Sequence, residues 1–154
     1  MKDIYDVALT TLAEDGWSLV EDPEKGLIQG LFEGQTGRFP TNITALDIEG
    51  YLGVHVVLPQ RLPREKRDEA LIYFCRVNQR LRVGAFELDL DSGICRFRSG
   101  LELGELDHLP APLLRTLLYG ALAAADRYYF GLMALLNQGV DPITAMERAD
   151  APRR

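Results

Sequence analysis

Cysteine and histidine are scarce, two of each among 154 residues, and that scarcity removes several chemistries at once. Cys75 and Cys95 fall in a predicted helix and a predicted strand with no close spacing, so they suggest neither metal nor dithiol redox chemistry. Both are expected as buried small hydrophobes. His55 lies within an apolar strand and His108 just ahead of a helix start. No nucleophile motif surrounds Ser18, Ser92 or Ser99, and no catalytic triad can be assembled. Long apolar runs are missing too. Met1 to Val20 carries Asp3, Asp6, Glu14 and Asp15 where a secretory signal needs an uninterrupted apolar core. Thr116 to Ala125 is bounded by Arg115 and Asp126, short of the roughly 18–20 residues of a membrane span. The expected location is the cytoplasm, where the Asn42-Ile43-Thr44 glycosylation pattern carries no meaning. Basic charge is in deficit, 17 Lys and Arg against 23 Asp and Glu. That balance opposes attraction to membrane and to nucleic acid, and neither is expected as a direct partner.

What remains is a chain of 154 residues, 47% hydrophobic and 26% charged. That is the make-up of one globular domain, expected over residues 1–150 with a short tail at 151–154. Tyr5, Ala8, Leu9 and Leu12 recur at helical spacing between a plausible N-cap, Asp3, and a stop at Gly16. Leu27 to Glu33, Arg38 to Ile48 and Tyr51 to Leu58 read as an antiparallel meander, the second strand starting after Pro40. A second helix opens at Pro63 and runs to about Arg82, with Leu71, Phe74, Cys75, Asn78 and Leu81 as its apolar face. Asn78 is then expected to bridge backbone where this helix meets the next strand. Gly84 to Leu90 and Ile94 to Leu101 form a hairpin around Asp91-Ser92-Gly93, with Glu87 opposite Arg96 and Phe86 opposite Phe97. Pro110 and Pro112 open a long helix to about Asn137, and Asp141-Pro142 starts a short final one. The order is α-βββ-α-ββ-α, an α+β fold with an antiparallel sheet packed against helices.

Candidate chemistry is thin. Glu87, Asp89 and Asp91 could share a hard cation, but a calcium loop starting at Glu87 would need glycine at Ser92 and glutamate at Arg98. Cross-strand pairing with Arg96 and Arg98 accounts for the acids more simply. Gly30 to Gly37 lacks the lysine and hydroxyl of a phosphate loop and reads as a turn. No metal, cofactor or catalytic residue is expected, and the protein is read as a non-enzyme.

Charge is nevertheless uneven. Gln60 to Arg82 holds seven basic and three acidic residues, net +4, which leaves −10 on the rest. This region could steer an acidic partner. The predicted long helix is apolar around much of its circumference, from Leu113 to Leu136, which suits a surface shared with another chain.

Asn78-x-x-Leu81-x-x-Gly84-x-Phe86-x-Leu88-Asp89, then Asp91-x-Gly93 and Asp126-Arg127-Tyr128, resemble the bacterial YbjN-domain proteins. The resemblance runs from helix one to about Glu147. It implies a type III secretion chaperone-like fold, a homodimer involving helix two and the following strand, and partner binding on exposed apolar sheet or helix surface. It also implies a context of stress response or regulation. The reading is a homodimeric adaptor or chaperone-like protein that buries a segment of a partner protein. Its expected contact residues are Ile72, Tyr73, Arg76 and Arg80 on helix two, with Leu118, Leu122, Tyr129 and Leu132 on the long helix. A small-anion or nucleotide sensor using the Arg-rich helix two region with Arg96 and Arg98 is the alternative.

Overall fold

The computed structural model describes residues 2–152; of the expected tail at 151–154, Arg153 and Arg154 lie outside the described residues, as does Met1. Helix α1 (Ile4–Glu14) buries Ile4, Ala8, Thr11 and Leu12, one stripe at helical spacing. Asp3 sits at its N-cap position but does not cap it. Its carboxylate instead accepts from the Leu109 amide at 3.1 Å and meets His108, tying the chain start to the approach of the last long helix. The N-terminus of α1 is served from the meander, where Asp47 Oδ1 accepts from the Tyr5 amide at 2.9 Å.

Strands β1 (Val20–Asp22), β2 (Leu27–Glu33), β3 (Arg38–Leu46) and β4 (Tyr51–Val57) follow, then helix α2 (Arg67–Asn78), strands β5 (Ala85–Leu88) and β6 (Cys95–Glu102), and helices α3 (Ala111–Gln138) and α4 (Pro142–Asp150). One antiparallel sheet holds all six strands in the order β1-β2-β3-β4-β6-β5. The three-residue β1 had no signal in the sequence because three residues, none of them buried, are too few to show alternation. Pro40 lies inside β3, opposite Leu31, and does not delay its start. Pairing with β4 begins only at Thr41 opposite Val56, so β3 tolerates the missing amide at an end where β2 is its sole neighbour.

The hairpin has the expected register, Phe86 opposite Phe97 and Glu87 opposite Arg96. Asn78 plays the expected part as well. Its Nδ2 donates to the Phe86 carbonyl at 3.1 Å, and the Phe86 amide donates to its Oδ1 at 2.8 Å. This clamp ends α2 at Asn78, four residues before the predicted stop, because the chain must leave the helix for Phe86 to meet the amide. Ala70, Tyr73, Phe74 and Val77 form the buried stripe of α2. Leu71 and Cys75, expected on that face, are exposed. Phe74 stacks on Phe86 with ring centroids 5.1 Å apart, and Phe86 meets Phe97 edge to face at 5.0 Å.

All the helices lie on one face of the sheet. The inward residues Val54 and Val56 of β4 and Cys95 and Phe97 of β6 are buried beneath them, while the opposite face carries Gln29, Asn42, His55, Arg96 and Arg98. Helix α3 packs on β4 and β6 and is flanked by α1, α2 and α4. That enclosure buries Leu114, Leu118, Leu122, Tyr129, Leu132 and Leu135 within the chain itself. The residues expected to form a shared surface on this helix, Leu118, Leu122, Tyr129 and Leu132, are spent inside the chain. Most of its apolar circumference is matched by a sheet and three helices of its own molecule, while Leu113, Tyr119 and Phe130 stay exposed.

Candidate functional site

The residues anticipated as contacts divide sharply. Tyr73, Leu118, Leu122, Tyr129 and Leu132 are core side chains, each less than a tenth exposed. Tyr73 points inward from α2, and its hydroxyl donates to the Tyr128 carbonyl at 2.6 Å. It is one residue, about 100° of helix, from the outward Ile72. Arg80 lies beyond the end of α2 and pairs with Asp150 of α4. Only Ile72 and Arg76 project freely from the outer face of α2, Ile72 with 53% of its surface in solvent. Leu71 and Cys75 adjoin them, and Asp68 is exposed on the same face, four residues before Ile72 as Arg76 is four after it. A helix with a buried stripe on one side and two large aliphatics in water on the other has a second surface to cover. Ile72 and Arg76 were legible in the sequence as outward residues; Asp68, at the same spacing one turn earlier, is the member that sequence reasoning missed.

Arg96 and Arg98 occupy the other side of the molecule. Both reach Glu87, at 2.8 and 2.9 Å, on the sheet face away from the helices. Arg76 projects from the helical layer. The arginines invoked for a small-anion site thus lie on opposite faces and do not converge. His55, across from Arg98 in β4, is half-buried. Burial and then the Arg96 charge hold its pKa below the usual imidazole value, keeping it neutral near pH 7. The acids of the hairpin have structural partners too. Asp89 Oδ1 accepts from the Asp91 and Ser92 amides at 2.9 and 3.2 Å, which fixes the turn and lowers its pKa. Among the described residues no His, Cys, Asp and Glu cluster could hold a metal ion, and no helix is long and apolar enough to cross a membrane.

The glycine-rich segment is a hairpin turn, closed by the Gly34 amide donating to the Gly37 carbonyl at 2.9 Å. Its tip is held by Asp126 of α3, whose carboxylate accepts from the Gln35 and Thr36 amides at 2.9 and 2.8 Å. Tyr128 donates to Asp150 at 2.9 Å, binding α3 to α4. The residues that carried the resemblance are therefore joints between elements.

The cysteines differ. Cys75 is exposed on α2, against expectation, whereas Cys95 is buried and its thiol pKa is pushed up to about 12 by that burial. Titration of the native protein with a thiol-reactive disulfide is expected to label one cysteine per chain at neutral pH, and both in denaturant. Rapid labelling of two in the native state would show that Cys95 is not sealed on the inner face of β6.

The YbjN family model, described as "Putative bacterial sensory transduction regulator", matches residues 6–133. No curated protein matches the sequence significantly. A chain in the crystal structure of the ExsC–ExsE complex is similar in fold, with a TM-score of 0.57 at 14% identity over 84% of this chain and 95% of that one. A chain of the HopA1–SchA chaperone–effector complex aligns with a TM-score of 0.48 at 15% identity, covering 83% of this chain and 88% of that one. The architecture is α+β, and its fold is similar to that of the chain in the ExsC–ExsE complex. With most of its length inside the family model and the signature residues forming its joints, the chain belongs to the YbjN family.

Proposed function

We propose that this protein is a non-enzymatic, chaperone-like adaptor that binds a partner protein and works as a homodimer in the cytoplasm, in regulation or stress response. The observation that carries the reading is the outer face of α2, where Leu71 and Ile72 stand in solvent between Asp68 and Arg76. The face complements itself. In an antiparallel pair of α2 helices centred on Ile72, Asp68 of each copy falls opposite Arg76 of the other, because both lie four residues from the centre. Neither side chain has an ion-pair partner within the chain among the described residues. Likeness in fold to a chain crystallised as one half of a two-protein complex supports the partner-binding half of the reading. The Arg-rich stretch around α2 then steers acidic partners.

Light scattering tests the dimer. Wild-type protein is expected at twice the 17.2 kDa chain mass. Ile72→Asp and Arg76→Asp are expected to elute as folded monomers with dimer dissociation raised about tenfold or more, roughly the 1.4 kcal/mol of one desolvated pair. Adding Asp68→Arg to Arg76→Asp restores the charge pairing and should restore the dimer. A wild-type monomer, or a dimer indifferent to all three variants, would overturn this use of α2.

A further inference from the structure

The side of β6 facing β5 is only half covered. β5 ends its pairing at Ala85 opposite Arg98, whereas β4 accompanies β6 to Glu102. Continued in register, the chain before Ala85 would have set Val83 opposite Gly100. Gly84, at φ +79°, turns it away instead, and a Cβ there would run into Phe97 and the Arg98 carbonyl. The Leu58 amide bonds to Cys95 and the Leu103 amide to Gly50, so odd-numbered residues of β6 direct their backbone to β4. Gly100 and Glu102 therefore direct theirs to the open edge, and no hydrogen bond occupies them among the described residues.

Under this edge lies a groove of about 490 Å³, almost wholly apolar, walled by Leu81 and Val83 on one side and by Leu113, Leu117 and Ala121 of α3 on the other. Ser99 lines it from β6. This side chain is 4% exposed, and its Oγ is a buried polar atom without a hydrogen-bond partner. An orphaned hydroxyl in a native core calls for an explanation. The groove is where the inward side chains of a further strand would go. Main-chain groups along an edge, repeating every second residue beside a side-chain pocket, match a peptide backbone; a small apolar molecule would leave them unused. The open stretch of four residues is short against the roughly 800 Å² per partner of a stable dimer. Arg82, exposed between Leu81 and Val83 and without an ion pair among the described residues, favours negative charge at the mouth.

We propose that an extended segment of a partner protein, apolar at alternate positions and acidic at its flanks, adds as a strand to β6 at Gly100 and Glu102 and seats a side chain in the groove beside Ser99. This rests on the partner-binding half of the function proposed above, not on the dimer. The two fail separately, one in peptide binding and the other in solution mass.

The probe is a labelled nonapeptide, DEVTLTVDE, alongside a version with lysine for every acid and one with proline at both threonine positions. Fluorescence anisotropy is expected to show saturable binding of the acidic peptide, weakened about tenfold or more in both relatives. Gly120→Trp places a ring in the groove. A Cβ at Gly120 meets nothing within 4 Å, so thermal melting should hold while affinity drops by a similar factor. Gly120→Ala is the folded control and should bind as wild type. Bound peptide should slow hydrogen exchange at the Gly100 and Glu102 amides. Absence of saturable binding would overturn the proposal, as would binding indifferent to Gly120→Trp or binding without protection of those amides. Protection by octanoate alone would assign the groove to a small amphiphile instead. Loss of a dimer on Gly120→Trp, with no peptide bound, would assign it to a second copy.

Discussion

Leu122→Asp is expected to abolish the folded state. Leu122 is 1% exposed at the centre of α3, between the sheet and the neighbouring helices, and no cation faces it among its buried neighbours. A carboxylate there must either stay ionised without a partner or take up a proton in an apolar site. Together with the lost leucine packing, the cost passes about 4–5 kcal/mol. A domain of this kind has only about 5–15 kcal/mol in total. The measurement is a urea titration followed by near-ultraviolet circular dichroism, with Ile72→Asp alongside. Ile72→Asp should keep a native baseline and lose only what the dimer contributes, about 1.4 kcal/mol for a tenfold weaker association, while Leu122→Asp should lack a native baseline. The contrast separates α3 as core from α2 as surface. A Leu122→Asp protein that melts as wild type would mean that α3 does not lie in the core as described.

The second large effect is expected at Gly131. Helix α3 passes α2 and α4 so closely there that an added Cβ would abut the Tyr73 hydroxyl and come within 2.6 Å of the Ala145 carbonyl. In an exposed helix, Gly→Ala stabilises by about 1 kcal/mol. At Gly131 the sign should reverse, to a loss of roughly 2–3 kcal/mol, because backbone and a buried, hydrogen-bonded ring must both shift. Tyr73 cannot retreat cheaply, since its hydroxyl is bonded to the Tyr128 carbonyl at 2.6 Å. Gly131→Ala, Tyr73→Phe and their double variant form a cycle read by denaturant midpoints. Tyr73→Phe alone should cost about 0.5–1.5 kcal/mol for the lost hydroxyl bond, and the double variant should lose less than the sum. Strict additivity would show that the two groups do not meet.

The same contrast divides what was legible in the sequence from what was not. The Glu87–Arg96 and Phe86–Phe97 pairings followed from alternation about a short turn. The Asn78 clamp followed from one amide in an apolar stripe eight residues before its partner. These are local relations, governed by period and hydrogen-bond need over ten or so residues. Helix α2 shows where that reach ends. Ala70, Tyr73, Phe74 and Val77 make a better stripe than the one built on Leu71 and Cys75, but Ala70 is small and Tyr73 polar, and only their closeness to β5 and α4 makes them core. The α3 residues chosen as contacts, Leu118, Leu122, Tyr129 and Leu132, are core for the same reason. Hydrophobicity around a helix records that it is covered without recording by what, and α1, α2 and α4 reach it from sequence positions far away.

By itself, then, the sequence determined the class of elements, their order apart from β1 and the hairpin register, because each is written in spacing and residue type along the chain. The tertiary structure alone decided which apolar surface is spent internally and which is left over. Ile72 in solvent, Leu122 in the core and the uncovered edge at Gly100 depend on which distant elements meet, and on the point where Gly84 turns the chain away from β6.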